Sequence, residues 1–200
     1  MGRGRADWIW LRHAPVRDQE SRYYGQLDVP AEPLDPLLAR RIATVLPEGA
    51  VWITTPLSRT RTMAQALKLG VQLVEVADLT EQNFGDWQGR TYRDVFAANG
   101  TLDWENPAHL KPPGGESFAE LADRVAAAIE RLSGHYAGHV LIAVAHAGTI
   151  RAAIGHALGL APDRMLTFEI APLSMTRLGR GPGEAGTARW TVGCVNQAHG

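Results

Sequence analysis

Three places in this chain of 200 residues bring together side chains that handle anions and protons. The apolar run Trp8-Ile9-Trp10-Leu11 is followed at once by Arg12-His13. The run Val51-Trp52-Ile53-Thr54 leads into Ser58-Arg59-Thr60-Arg61, and the run Val140 to Ala145 ends in His146-Ala147-Gly148. Each has an ordinary explanation when taken alone, since a histidine at a strand end is more often a buried residue satisfied by a backbone carbonyl. Arg59 is harder to explain that way. A cation in the first turn of a helix opposes the helix dipole, so its position asks for an anion in front of it. If the three runs are strands ending at one sheet edge, Arg12, His13, Arg59 and His146 converge on a positive pocket suited to a small dianion.

Positioning such a pocket takes a layered fold. Ala6 to Leu11 reads as a buried strand stopped by Pro15, and residues 16 to 36, with Gly25, Pro30, Pro33 and Pro36, as a loop. Leu37 to Leu46 has apolar residues at helical spacing and ends at Pro47 and Gly49. Val51 to Thr54 is a second strand, with Thr55-Pro56 as N-cap and first-turn proline of a helix reaching about Lys68. Gln72 to Val76 is a third strand, Thr91-x-x-Asp94 opens a short helix through Ala98, and residues 99 to 115 are irregular. Ser117-x-x-Glu120 is a capping box for a helix to Leu132, with Leu121, Val125, Ala128, Ile129 and Leu132 on one face. Val140 to Ala145 is the most apolar strand, and a helix to about Leu158 comes after it. Thr167 to Leu178 and Thr187 to Val195 read as two further strands joined by the loop Gly179 to Gly186. Continuous apolar strands alternating with helices predict one domain over residues 1–200. The expected fold is α/β, a three-layer α/β/α sandwich with a mostly parallel central sheet flanked by helices. Ligand sites in such sheets lie beyond the carboxyl ends of the strands, where Arg12, His13 and His146 stand.

Composition excludes several other classes. With 20 Lys and Arg against 21 Asp and Glu the formal charge is −1, which speaks against nucleic acid or an anionic membrane as partner. A hydrophobic fraction of 45% with 20% charged residues is that of an ordinary globular protein. The one cysteine, Cys194, can form neither an intrachain disulfide nor a Cys-rich zinc site, and a reducing, cytoplasmic compartment is the expectation. The apolar stretch behind Arg3 and Arg5 is too short for a signal sequence or a membrane span. His135 and His139 stand four apart, but Gly134 and Gly138 interrupt them, so a solvated turn is expected rather than a metal site. The absence of a Gly-x-x-x-x-Gly-Lys loop speaks against nucleoside triphosphate chemistry.

Five motifs occur in an order that resembles a known family. They are Leu11-Arg12-His13-Ala14, the run Thr55 to Ala64 around Arg59, the segment Leu79 to Gly89 around Glu81, Gly114-Gly115-Glu116-Ser117, and Ala145-His146-Ala147-Gly148. Over about residues 6 to 175 the chain resembles the phosphoglycerate-mutase-like branch of the histidine phosphatase superfamily. The resemblance implies two-step phosphotransfer through a phosphohistidine, with His13 as nucleophile. It implies that Arg12 and Arg59 bind phosphoryl oxygens, with Ala147 lining the phosphate site. His146 is implied to contact the same oxygens, in a protonated form that a phosphate dianion favours. Fixed guanidinium groups suit a phosphoryl group in transfer, whose charge spreads over its equatorial oxygens. Glu81 matches the acid/base residue, and its flanking Phe84 and Trp87 suit a proton donor by desolvating the carboxyl. Gln26 and Trp87 are substrate-binding candidates, as is Trp104, whereas Arg61 is expected to point away. The family usually has glycine where Ala14 and Ala147 stand, and alanine there would be strained if either position needed a positive φ.

The short segment between Glu81 and Gly115 leaves little room for the lid that mutases of the family carry, so a hydrolase of a small phosphate ester is favoured. The segments Tyr24 to Pro30 and Phe84 to Gly89 resemble the alpha-ribazole phosphatase group most, which makes alpha-ribazole 5′-phosphate the first substrate candidate. No metal or cofactor is implied, and a homodimer is left open. The alternatives are a cofactor-dependent phosphoglycerate mutase and a catalytically silent phosphate-binding module.

Overall fold

The computed structural model describes residues 5–17, 21–98, 100, 105–184 and 187–199. Its strands are β1 (Ala6–Arg12), β2 (Val51–Thr54), β3 (Leu73–Glu75), β4 (Val140–Ala145), β5 (Met175–Pro182) and β6 (Ala188–Gln197). They form one sheet in the order β3-β2-β4-β1-β5-β6. The pairs β3–β2, β2–β4 and β4–β1 are parallel, while β5 and β6 add antiparallel. The helices are α1 (Pro36–Thr44), α2 (Ser58–Leu67), α3 (Tyr92–Ala98), α4 (Phe118–His135), α5 (Ala147–Leu158) and α6 (Pro162–Met165).

Alternation along the strands explains the layers, because successive side chains point to opposite faces of a sheet. Trp8, Trp10, Leu141 and Ala143 pack with the apolar stripe of α4 and with Ile150 and Ile154 of α5. Ile9, Leu11, Ile142 and Val144 pack with Ile42 of α1 and with Met63, Ala64 and Leu67 of α2. Both faces are covered, so the central strands read as unbroken apolar runs. The capping box at Ser117 and Glu120 forms in both directions, and Thr91 Oγ1 accepts from the Asp94 N–H at 3.0 Å.

Several boundaries differ from expectation, each for a local reason. Thr55 does not cap α2. The helix starts at Ser58 without a side-chain bond from its own N-cap, and Asp28, from the loop after β1, accepts from the Ser58 N–H at 2.7 Å. Helix α1 begins a residue earlier than expected, because Asp35 accepts from the N–H groups of Leu37 and Leu38. Helix α4 runs on to His135, and Ser133 in its last turns accepts from buried Trp8 Nε1 at 2.9 Å. Strand β5 starts at Met175 rather than Thr167, since Pro172 offers no N–H and Leu173 has φ +63. Gly179 and Gly181 lie within β5, paired with Thr191 and Arg189, so the hairpin turn is shorter than expected. The short helix α6 and the 3-10 turns at Ala77–Leu79 and Gly85–Trp87 carry no periodic signal long enough to read. None of the helices is long and apolar enough to cross a membrane, among the described residues.

Candidate active site

Adjacent parallel strands bring the two histidines together. Arg12 of β1 lies opposite Ala145 of β4, and the His13 N–H donates to the Ala145 carbonyl at 3.0 Å. His13 and His146 therefore leave the sheet side by side, with ring centroids 5.2 Å apart in an edge-on arrangement. Arg59 reaches the same place from the first turn of α2. Its guanidinium donates to the carbonyls of Leu27 at 2.7 Å and Gly25 at 2.6 Å, which fix it despite the unfavourable end of the helix dipole. Arg12 donates from one terminal nitrogen to the Ile170 carbonyl, and its buried Nε has no partner among the described residues. Arg12, His13, Arg59, Glu81, Ala147 and Gly148 all line one cleft of about 640 Å³. A second cleft, of about 560 Å³, lies at the other end of β1 beside Trp8, Val45 and Val140. It is at the amino ends of the parallel strands and contains no part of this cluster.

The His13 ring is held in one tautomer. Its Nδ1 lies 2.7 Å from the Ala14 carbonyl, which can only accept, so Nδ1 carries the hydrogen. Burial, aided by the charges of Arg59 and Arg12, lowers its pKa to about 3, so the ring is neutral and Nε2 holds a lone pair. Burial also pulls Arg12 and Arg59 down from the usual guanidinium range, and the Glu81 carboxylate opposes the fall in both. They remain cations.

Without a neighbouring dianion the His146 ring stays neutral, and the protonated form is the one expected beside a bound phosphate. Full burial, with His13, Arg59 and Arg12 adding repulsion, lowers its pKa well below the usual value, so the ring is neutral. Its Nε2 is 3.0 Å from Thr55 Oγ1, and its Nδ1 is buried without a partner. Thr60 Oγ1 donates to the Leu57 carbonyl at 2.8 Å and lies 3.0 Å from Thr55 Oγ1, so Thr60, Thr55 and His146 form one buried chain of hydrogen bonds that holds the ring. The hydroxyl that local spacing assigns to a helix cap thus orients the second histidine, something that no sequence spacing reveals.

Glu81 is held by a network of its own. Its Oε1 accepts from the Gln82 N–H at 3.0 Å and its Oε2 from the Gly148 N–H at 3.2 Å, in the first turn of α5. The carboxylate thereby takes one of the N–H groups that a helix start leaves unsatisfied. Arg124 of α4 donates to the carbonyls of Thr80 and Glu81 and forms a two-pronged ion pair with Glu116. Glu116 in turn accepts from the Asn83 N–H at 2.8 Å. Gly85 and Gly115 let the two loops touch backbone to backbone, since a Cβ on Gly85 would lie 2.1 Å from the Pro113 carbonyl oxygen. This contact explains why the Glu81 segment and the Gly114-Gly115-Glu116-Ser117 turn occur together.

The remaining sequence candidates separate. Trp87 is buried, lines the cleft, and packs near Tyr23 at 5.7 Å, with Phe84 and Tyr92 on the same ring. Gln26 does not line the cleft; its amide donates to the Glu81 carbonyl at 3.0 Å, which makes it a strut between loops rather than a wall of the pocket. Arg61 points away and pairs with Glu75 at 3.2 Å. His135 packs on Tyr136. Trp104 lies outside the described residues. Ala14 and Ala147 do not have positive φ, so alanine fits both places without backbone strain.

This geometry carries two expected outcomes. A Cβ on Gly148 would lie 2.2 Å from Glu81 Oε1, so Gly148→Ala is expected to displace the carboxylate and lower kcat about 100-fold. Steady-state kinetics of the variant check this, and an unchanged kcat would show that the carboxylate's position does not matter. The second concerns pH. An unfolded chain protonates His13 near pH 6.5, whereas the folded protein does so only near pH 3. Stability is therefore lost as pH falls from 6.5 toward 3, at about 1.4 kcal/mol per pH unit for this group, and is unaffected above that window. His146 adds a loss of the same sign. Thermal midpoints between pH 7.5 and 5 are expected to fall more steeply for the wild type than for His13→Asn, and parallel curves would contradict the neutral ring.

Comparison with known proteins agrees with this arrangement. A glucosyl-3-phosphoglycerate phosphatase of Mycolicibacterium vanbaalenii is 30% identical over 169 residues, covering 78% of this chain and 75% of that protein. The adenosylcobalamin/alpha-ribazole phosphatase of Escherichia coli is 31% identical over 109 residues, 52% of this chain and 51% of that one. Among solved structures, a mycobacterial glucosyl-3-phosphoglycerate phosphatase superimposes with TM-score 0.83 at 25% identity, over 97% of this chain and all of that one. Residues 8–193, which hold every side chain of the cluster, match the histidine phosphatase superfamily (branch 1). The chain belongs to that family and is a phosphatase of its kind.

Proposed function

We propose that the protein is a metal-independent phosphomonoesterase that works through a phosphohistidine on His13. One observation carries the reading: the Nδ1 bond to the Ala14 carbonyl leaves Nε2 with its lone pair, on a ring that feels the charges of Arg59 and Arg12. In the first step, with Glu81 in its acid form, Nε2 attacks phosphorus, the P–O ester bond breaks, and the departing alkoxide takes the proton from Glu81. In the second step the Glu81 carboxylate takes a proton from water. The new hydroxyl attacks phosphorus, the N–P bond breaks, and His13 returns to its neutral form with inorganic phosphate released. Arg12 and Arg59 hold the equatorial oxygens and supply the positive charge that a metal would otherwise provide, and His146 contacts the same group.

The two substrate candidates are glucosyl-3-phosphoglycerate and alpha-ribazole 5′-phosphate, after the names that the two relatives carry. The first rests on the longer match. Hydrolysis of p-nitrophenyl phosphate and of both candidates in the presence of EDTA is the test. Activity that returns only with an added divalent cation would overturn metal independence. Binding of inorganic phosphate without turnover of any ester would put the silent module in its place. Interconversion of 2- and 3-phosphoglycerate in the presence of the bisphosphate would favour the mutase.

A further inference from the structure

Arg151 lies on α5, one turn beyond the residues that meet Glu81, and lines the same cleft as Arg12 and His13. Side chains on a helix tilt toward its N-terminus, so the guanidinium covers the wall above the first turn of α5, beside the phosphoryl position. Its Nε donates to the Phe168 carbonyl at 2.8 Å, which fixes the group in place. Three other arginines have carboxylate partners: Arg124 has Glu116, Arg131 has Asp78, and Arg180 has Glu130, while Arg177 of β5, outside this cleft, donates to Met175 Sδ and the Val45 carbonyl. Arg151 is half-buried and pairs with no carboxylate among the described residues. It sits near enough to Arg12 for the two charges to repel. A dianionic phosphoryl group already matches Arg12 and Arg59 once Glu81 holds the proton that it gives to the leaving group. The charge on Arg151 is therefore left over.

We infer that Arg151 receives a carboxylate carried on the leaving alcohol, close to the ester oxygen, so that the preferred substrates are phosphorylated hydroxy acids. The inference rests on the phosphatase reading above and sharpens it. Of the two candidate esters, the phosphoglycerate carries such a carboxylate and alpha-ribazole 5′-phosphate does not. The aromatic wall of Tyr23, Phe84 and Trp87 is left for whatever group lies beyond.

The test compares 3-phosphoglycerate with glycerol 3-phosphate, which differ by carboxylate against hydroxymethyl, and uses p-nitrophenyl phosphate as reference. The wild type is expected to prefer 3-phosphoglycerate about 100-fold in kcat/KM, the usual worth of a charge-assisted pair. Arg151→Gln is expected to abolish the preference by raising KM for 3-phosphoglycerate, with glycerol 3-phosphate and p-nitrophenyl phosphate within about two-fold of wild type. Arg151→Lys restores part of it. No preference in the wild type, or an equal loss on all three esters in Arg151→Gln, overturns the inference. If no ester is hydrolysed at all, the phosphatase reading falls. Calorimetric binding of 3-phosphoglycerate against glycerol 3-phosphate to wild type and Arg151→Gln then decides the carboxylate site by the same criterion.

Discussion

His13→Ala is expected to lower kcat on every phosphate ester by about 10⁴-fold or more, while inorganic phosphate still binds. The loss is this large because the variant removes the covalent route and not one of several contacts. With Nε2 gone, water would have to attack phosphorus directly, and the base at hand is a carboxylate tied to the N–H groups of Gln82 and Gly148. Arg12 and Arg59 keep their own anchors on Ile170, Leu27 and Gly25, so the anion-binding side of the cleft survives the change. Two readings check this. Acid-labile, base-stable phosphate trapped from wild type in mid-turnover should be absent from the variant, and the phosphate affinity of the two proteins should agree within a few-fold. Retention of activity within ten-fold would remove His13 from the chemistry.

Glu81→Gln is expected to split by leaving group. An alkyl alkoxide needs a proton as it departs, and loss of the acid should lower kcat on such esters by about 10²- to 10³-fold. The p-nitrophenolate ion leaves without one, so its release should stay fast for a single turnover. The second step still needs a base, and the phosphohistidine should then accumulate. The signature is a burst of p-nitrophenolate of about one equivalent per enzyme and then a slow steady rate. The substitution is isosteric, yet the new NH₂ must face one of the two backbone N–H groups that Glu81 now accepts from. The burst guards against that disturbance, since its amplitude shows the first step intact. Equal losses on alkyl and aryl esters with no burst would move Glu81 from proton transfer to positioning.

The stabilising network around Glu81 shows where reading the chain stops. Arg124 of α4, paired with Glu116 of the Gly114-Gly115-Glu116-Ser117 turn, clamps the loop, and nothing in the spacing of Arg124 marks it for that work. Gln26 is the reverse case. Its place in the loop after Arg12-His13 suggests substrate contact, but the fold turns its amide back onto the Glu81 carbonyl. Thr55 shows the same limit at a shorter range. A Thr-Pro pair before a helix reads as a cap by local rules, and its hydroxyl goes instead to His146, which is brought to it by the pairing of β2 with β4. Local rules rank local partners, and a buried hydroxyl takes whichever acceptor or donor the packing delivers.

By itself the sequence determined the layered α/β class and the placing of Arg12, His13 and His146 at the carboxyl ends of strands. These depend on unbroken apolar runs and on the residues that end each run, and both are local properties. It also determined the kinds of group available at those ends. Only the tertiary structure decided the protonation states and the wiring. His13 is neutral because β1 is buried between two layers, its tautomer is chosen by one carbonyl, and the Glu81 carboxylate is seated by a glycine on a distant helix. Those outcomes depend on desolvation and on contacts between segments far apart in the chain, quantities that exist only once the chain has folded.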